Sequence, residues 1–193
     1  MSKSKNIFQF IILMSLLGSC KTAEFGFKLI DISGMVYDFS NRPVAQYEIV
    51  LDKKFSRKYR GYTDINGRFT LLKVPIGIYT ISGSKNGYEH YSDEVEIRER
   101  RQIIYIRIPS QSQLLNLVDE ALAANNFDLA KEMAERAYQI DNKNIEMLFY
   151  NAAVAFRQSQ FDKAINFLET AVSLGSKDVY VDKFLAVLKE REK

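Results

Sequence analysis

The sequence predicts a two-domain chain, an all-β sandwich followed by a helical repeat unit, and three observations carry that prediction. Apolar residues alternate with a period of two between Lys28 and Ile108. From Ser112 onward they follow the three-and-four spacing of buried helix faces. The helical part also repeats itself at an offset of 34 residues. A chain of 193 residues is long enough for two such domains.

Ahead of the strands lies a segment of different build. Lys3 and Lys5 give a positive start, Ile7 to Leu17 form an 11-residue apolar stretch interrupted by Gln9 and Ser15, and Gly18 and Ser19 are small. These are the three parts of a secretory signal. A spanning helix needs about 20 consecutive apolar residues, and Lys21 and Glu24 end the run short of that. The stretch Leu17-Gly18-Ser19-Cys20 ends in the sole cysteine and resembles the lipobox of bacterial lipoproteins. That resemblance implies a signal peptide of residues 1–19, acyl chains on Cys20, and an exported protein held to a membrane of the bacterial cell envelope, inner or outer being left open. The same residues also fit an ordinary cleaved signal or an uncleaved anchor with a bystander cysteine. One cysteine admits no internal disulfide, whereas two or three acyl chains, at about 0.8 kcal/mol per buried methylene, anchor a protein stably. Residues 20–28 then read as the acylated residue and a tether. Removing residues 1–19 takes away two lysines and no acid, leaving 25 basic against 24 acidic side chains. That near-neutral balance gives no reason to expect nucleic acid as a partner.

The strands follow in order. Ile30, Ile32, Met35 and Tyr37 lie on the first stretch; Tyr47, Ile49 and Leu51 alternate on the second, Phe69 and Leu71 on the third. Tyr79 with Ile81 and Val95 with Ile97 continue the pattern, and Ile104, Ile106 and Ile108 face away from Ile103, Tyr105 and Arg107. Between these runs stand Asn41-Arg42-Pro43, Asp64-Ile65-Asn66-Gly67, Pro75-Ile76-Gly77 and Asn86-Gly87, all suited to turns. Six or seven short strands within residues 29–108 imply two stacked sheets, because each strand has one face to cover.

The stretches Gly34-Met35-Val36-Tyr37-Asp38, Arg42-Pro43-Val44-Ala45, Thr63-Asp64-Ile65-Asn66-Gly67-Arg68-Phe69, Val74-Pro75-Ile76-Gly77-Ile78-Tyr79-Thr80 and Asn86-Gly87-Tyr88 resemble the carboxypeptidase regulatory-like domain. This is an immunoglobulin-like or transthyretin-like β-sandwich. Ile76 departs from the second proline common in that family, as do Gln46 and Tyr47 from small residues. The resemblance implies a structural or adhesive domain without catalytic residues of its own.

In the helical part Leu114, Leu117, Val118 and Ala121 share one face, as do Ala130, Met133, Ala134 and Ala137. At the 34-residue offset Leu114 aligns with Leu148, Phe127 with Phe161, Asp128 with Asp162, Ala130 with Ala164, Ala137 with Ala171 and Ile140 with Leu174. That period, with small alanines where helices approach closely, resembles the tetratricopeptide repeat. Two repeats are expected, Gln111 to Asn144 and Ile145 to Asp178, spanning residues 111–178. A capping helix follows within residues 179–193, turning Phe184, Leu185 and Leu188 inward. Phe127 and Phe161 are expected to plug the helix handovers. Val118 departs from a usual small residue, and Asn142 and Ser176 from a proline at the repeat end. Two repeats are fewer than such stacks usually need, so the sandwich, a partner or a second copy in a homo-oligomer is expected over an exposed end.

Chemistry is sparse. His90 is the sole histidine and stands in Tyr88-Glu89-His90-Tyr91, without a nucleophile elbow. One histidine and one cysteine cannot supply three or four zinc ligands, and Gly83-Ser84-Lys85-Asn86-Gly87 lacks the length and ending of a P-loop. The chain is therefore expected to be no enzyme and to hold no cofactor or metal; the alternative of a hydrolase with a carboxylate pair has no particular residues in its favour. Two features suggest binding. Lys53, Lys54, Arg57, Lys58 and Arg60 crowd positive charge around Phe55 and Tyr59, either as a patch for anionic head groups or glycans or as a solvated hairpin that blocks edge aggregation. The resemblance to tetratricopeptide repeats further implies a groove lined by the first helix of each repeat: Leu115, Asp119 and Leu122, then Phe149, Ala153 and Phe156. The expected role is an envelope adaptor that recruits one or more envelope proteins through this groove; the alternative is a surface protein binding glycan or peptidoglycan through its sandwich.

Overall fold

The computed structural model describes residues 28–53, 58–98 and 102–191. Cys20 and the signal segment, together with Lys54 and Arg57 of the basic hairpin, lie outside those residues. Seven strands precede five helices: β1 Leu29–Tyr37, β2 Glu48–Asp52, β3 Tyr59–Tyr62, β4 Arg68–Pro75, β5 Gly77–Ser84, β6 Tyr91–Ile97 and β7 Ile103–Arg107, then α1 Gln111–Ala123, α2 Phe127–Ile140, α3 Ile145–Arg157, α4 Phe161–Ser173 and α5 Val179–Arg191.

The strands form two sheets, ordered β4-β1-β7 and β3-β2-β5-β6. All described pairings are antiparallel except β1 with β7, which run parallel from Ser33↔Ile103 to Tyr37↔Arg107. The inner faces carry Ile30, Ile32, Val36, Tyr47, Ile49, Leu51, Phe69, Leu71, Tyr79, Ile81, Ile97, Ile104 and Ile106, every one buried. A β-sandwich built on period-two alternation is thus what the residues form.

Three details refine the strands. Ile30, Ile32, Gly34 and Val36 share the inward face of β1, and Met35 and Tyr37 are half-buried on the outer side. The segment Tyr59–Tyr62 is a strand of its own, paired with β2 from Glu48↔Tyr62 to Leu51↔Tyr59. In β4, Leu72 and Lys73 together face Asp31, a bulge in which Lys73 takes φ 54° and donates its N–H to the Asp31 carboxylate at 3.0 Å.

Turns are fixed by short polar side chains. The Asp64 carboxylate accepts from Asn66 N at 2.8 Å and Arg68 N at 2.9 Å, while Gly67 at φ 73° closes the turn onto the Asp64 carbonyl. A Cβ on Gly67 would lie 2.5 Å from the Val36 carbonyl oxygen. At the β1 exit Asp38, 2% exposed, accepts from Ser40 N, Arg42 N and Arg42 Nε. Burial would raise its pKa, and these donors outweigh it, holding the carboxyl below its ordinary value.

Tyr47 is the largest fully buried side chain of the sandwich. Its ring lies over Gly83, and its hydroxyl donates to the Glu89 carbonyl at 3.1 Å. An added Cβ at Gly83 would sit 2.2 Å from Tyr47 Cε1 and 2.9 Å from the Glu48 carbonyl oxygen. Gly83→Ala is expected to destabilise the sandwich by about 1–3 kcal/mol through overpacking, read as a lowered urea midpoint with an unchanged slope.

Candidate functional site

The two repeats end their first helices alike but cap their second helices differently, since Gln160, equivalent to Asn126, makes no side-chain cap bond. Asn126 and Asn144 cap α2 and α3, accepting from Leu129 N and Met147 N. The equivalent helix ends after α1 and α3 are closed by Asn125 at φ 56° and Ser159 at φ 59°, with Asn126 N bonding the Ala121 carbonyl and Gln160 N that of Ala155. Gly175 ends α4 in the same way. Ala130, Ala137, Ala164 and Ala171 are each 0% exposed, which lets neighbouring helices close onto one another. On α5 Val181 and Leu188 are buried, with Phe184 and Leu185 half-buried against the core.

Gln111 joins three elements. Its amide donates to the Ala137 carbonyl at 3.0 Å and the Asp141 carbonyl at 3.1 Å, and its Oε1 accepts from Asn144 Nδ2 at 3.1 Å. The start of α1 thus satisfies the end of α2 and the cap of α3. Neither helical period nor the repeat offset singles out this glutamine.

The expected groove residues lie at i, i+4 and i+7 on α1 and α3, but they are not equivalent. Leu115 is 4% exposed, so it belongs to the core and lends no surface to a ligand. Asp119 is exposed, while Leu122, Phe149, Ala153 and Phe156 are half-buried. Phe184 of α5 packs edge-on against both aromatics, 6.1 Å from Phe149 and 5.4 Å from Phe156. Phe161 does not plug its handover: it stays 36% exposed and touches Phe156 at 5.9 Å. Phe127 lies under the Arg157 guanidinium at 5.0 Å.

In the basic hairpin, Lys58 pairs with Asp52 at 2.7 Å and Arg60 with Glu48 at 2.9 Å, both across the β2–β3 ladder. Lys53 lies 5.7 Å from the Tyr79 ring. Cross-strand acids thus offset two of these charges. His90 is exposed. Among the described residues no group of three or more His, Cys, Asp or Glu side chains could hold a metal, and no helix is long and apolar enough to cross a membrane.

The domains meet at a polar junction that sequence reading did not locate. Ser110 pairs with Tyr88 in a β-bridge, Gln111 N donates to the Gly87 carbonyl at 2.9 Å, and Glu89 N donates to that of Pro109 at 3.1 Å. Arg136 of α2 grips the Glu89 carboxylate with two bonds, 2.7 and 2.8 Å. Gln113 adds a bond to Ser40 at 2.9 Å. These bonds tie the sandwich to the first helical hairpin.

Residues 31–105 match the model of the carboxypeptidase regulatory-like domain, and residues 121–188 that of the tetratricopeptide repeat. The chain carries both modules. Neither is of a catalytic kind, and the second is a module of protein–protein interaction. No curated protein matches the chain. Some solved structures show a distant likeness to part of the chain. The TIE protein of Bacillus anthracis is 15% identical with a TM-score of 0.37, covering 42% of this chain and 16% of its own. Catechol 1,2-dioxygenase from Acinetobacter is 8% identical with a TM-score of 0.36, covering 46% and 55%. The type II cohesin–X-dockerin complex of Acetivibrio cellulolyticus is 16% identical with a TM-score of 0.33, covering 44% and 60%. The chain thus spans less than two thirds of each of these, and their activities do not transfer to the carboxypeptidase regulatory-like and tetratricopeptide modules described here.

Two variants test the two joints. Gln111→Leu is expected to cost about 1–3 kcal/mol, because carbonyls of α2 and the Asn144 amide lose a buried partner; denaturant unfolding, with faster amide exchange in the last turn of α2, reads it. Arg136→Met should change stability by no more than about 1 kcal/mol, since the pair is partly solvated. Small-angle scattering should nevertheless show a broader distribution of inter-domain distances.

Proposed function

We propose that the protein is a non-enzymatic adaptor of the bacterial envelope, held to a membrane by acyl chains on Cys20 and recruiting an envelope protein through its tetratricopeptide groove. The observation that carries the reading is the aromatic cluster of Phe149, Phe156 and Phe184, whose rings converge from α3 and α5 at 5.4–6.1 Å and whose edges stay partly open to solvent. Half-buried aromatics are the side chains that anchor partners most strongly. Exposed Asp119, on the same face of α1 as Leu122, adds one negative charge to that helix. An amphipathic helix or extended segment with two or three apolar anchors and a basic flank fits such a surface.

The sandwich serves this role as a spacer. Glycan binding through the Lys53 to Arg60 hairpin is less favoured, because Lys58 and Arg60 already have carboxylate partners.

Crosslinking in intact cells followed by mass spectrometry tests the proposal. A specific envelope protein should be captured by the wild type and lost, about tenfold or more, from the Phe149→Ala/Phe156→Ala variant while its circular dichroism is retained. Cys20→Ala should move the chain from the membrane to the soluble fraction. Capture that survives deletion of residues 111–193 would sink the groove, and membrane retention of the Cys20→Ala chain would sink the anchor.

A further inference from the structure

A cleft of about 600 Å³ lies between the sandwich and the C-terminal end of α2. Its volume falls within the range of small-ligand sites, roughly 300–1,000 Å³. The sandwich contributes residues of β2, β3 and the β5–β6 turn, and α2 contributes Gln139 and Ile140, so the cleft exists only because the two domains are docked. It lies apart from the groove formed by α1, α3 and α5, and from the Lys58 side of the basic hairpin.

The charges that border it are already satisfied. Glu48 accepts from Arg60 at 2.9 Å and from the Tyr62 hydroxyl at 3.0 Å, and Glu89 is held by Arg136. Lys85 donates to the Ala45 carbonyl at 2.7 Å and lies 5.2 Å from the Tyr88 ring. A strongly charged ligand would have to break these pairs, and losing one partner of a bonded pair is costly. What remains available is neutral. Gln46, Asn86, His90 and Gln139 have no side-chain hydrogen bond among the described residues, and all four are exposed. Two tyrosine rings complete the set: Tyr62 is 55% exposed yet held in place by its bond to Glu48, and Tyr88 is half-buried.

Amides and an imidazole offer paired donors and acceptors to hydroxyl groups. A restrained aromatic ring offers an apolar face to C–H groups at small entropic cost. Together they suit a ligand that has many hydroxyls, no obligatory charge and one flat hydrophobic face. We propose that this inter-domain cleft binds a short neutral saccharide, contacted by Tyr62, Asn86 and His90 from the sandwich and by Gln139 from the helical unit.

The probe is an array of neutral oligosaccharides screened with the full chain, followed by calorimetric titration of the strongest hit. Tyr62→Ala and Gln139→Ala should each weaken that hit about tenfold, the loss of some 1.4 kcal/mol, with melting temperatures near that of the wild type. Lys58→Ala and the Phe149→Ala/Phe156→Ala variant should bind as the wild type does, which keeps this outcome separate from that of the adaptor groove. No hit on the array, an affinity unmoved in either cleft variant, or equal loss in Lys58→Ala overturns the proposal. If both cleft variants prove too unstable to titrate, saccharide-dependent protection of amides in residues 84–90 and 139–140 decides it: protection supports the cleft, and none overturns it.

Discussion

The constraint on which the rest of this structure depends is the absence of slack between its two cores. Ile108 is 2% exposed and belongs to the sandwich; Gln111 is 8% exposed and belongs to the helices. Only Pro109 and Ser110 stand between them. Ser110 bridges to Tyr88, and it also caps α1 in a reciprocal exchange with Gln113. Domains joined by a loose linker are expected to move relative to one another. Here rotation about the join would break a cap, a bridge and the Glu89–Arg136 pair together. The first helical hairpin is tied to the sandwich by this means.

How far the amino-acid order revealed this architecture depended on how local each signal was. The alternation of Tyr47, Ile49 and Leu51, and the alanines repeating at 34 residues, reflect geometry that a few neighbouring residues dictate. Tyr59–Tyr62 escaped because its inward positions are filled by Tyr59 and Gly61 rather than by branched aliphatics. Glu89 and Arg136 are 47 residues apart, and nothing in either neighbourhood announces the other. The Gln111 bonds reach 26 to 33 residues along the chain, which is close to one repeat but does not repeat.

The candidate surfaces follow the same division. Groove positions were implied by the resemblance to tetratricopeptide repeats, which assigns residues to the first helix of each repeat without saying how deeply each is buried, and so Leu115 was grouped with Leu122 although one is core and the other is not. The basic hairpin looked like a patch of excess charge because Glu48 and Asp52, its cross-strand partners, precede it in sequence and are seen beside it only once β2 and β3 pair. The inter-domain cleft had no sequence signature, since its walls come from four separated stretches that meet only after docking.

The parallel pairing of β1 with β7 has a mechanical meaning. The chain enters β1 at Leu29 and leaves β7 at Arg107 towards the helices, and in a parallel pair those two points lie at opposite ends of the ladder. Tension applied between the beginning of β1 and the helical unit would therefore load the hydrogen bonds from Ser33↔Ile103 to Tyr37↔Arg107 in shear, all at once, instead of peeling them one by one. Antiparallel neighbours pulled from adjacent ends would unzip. A molecule gripped at one end and pulled by a partner at the other would resist as a clamp resists, and would yield only when the whole ladder failed.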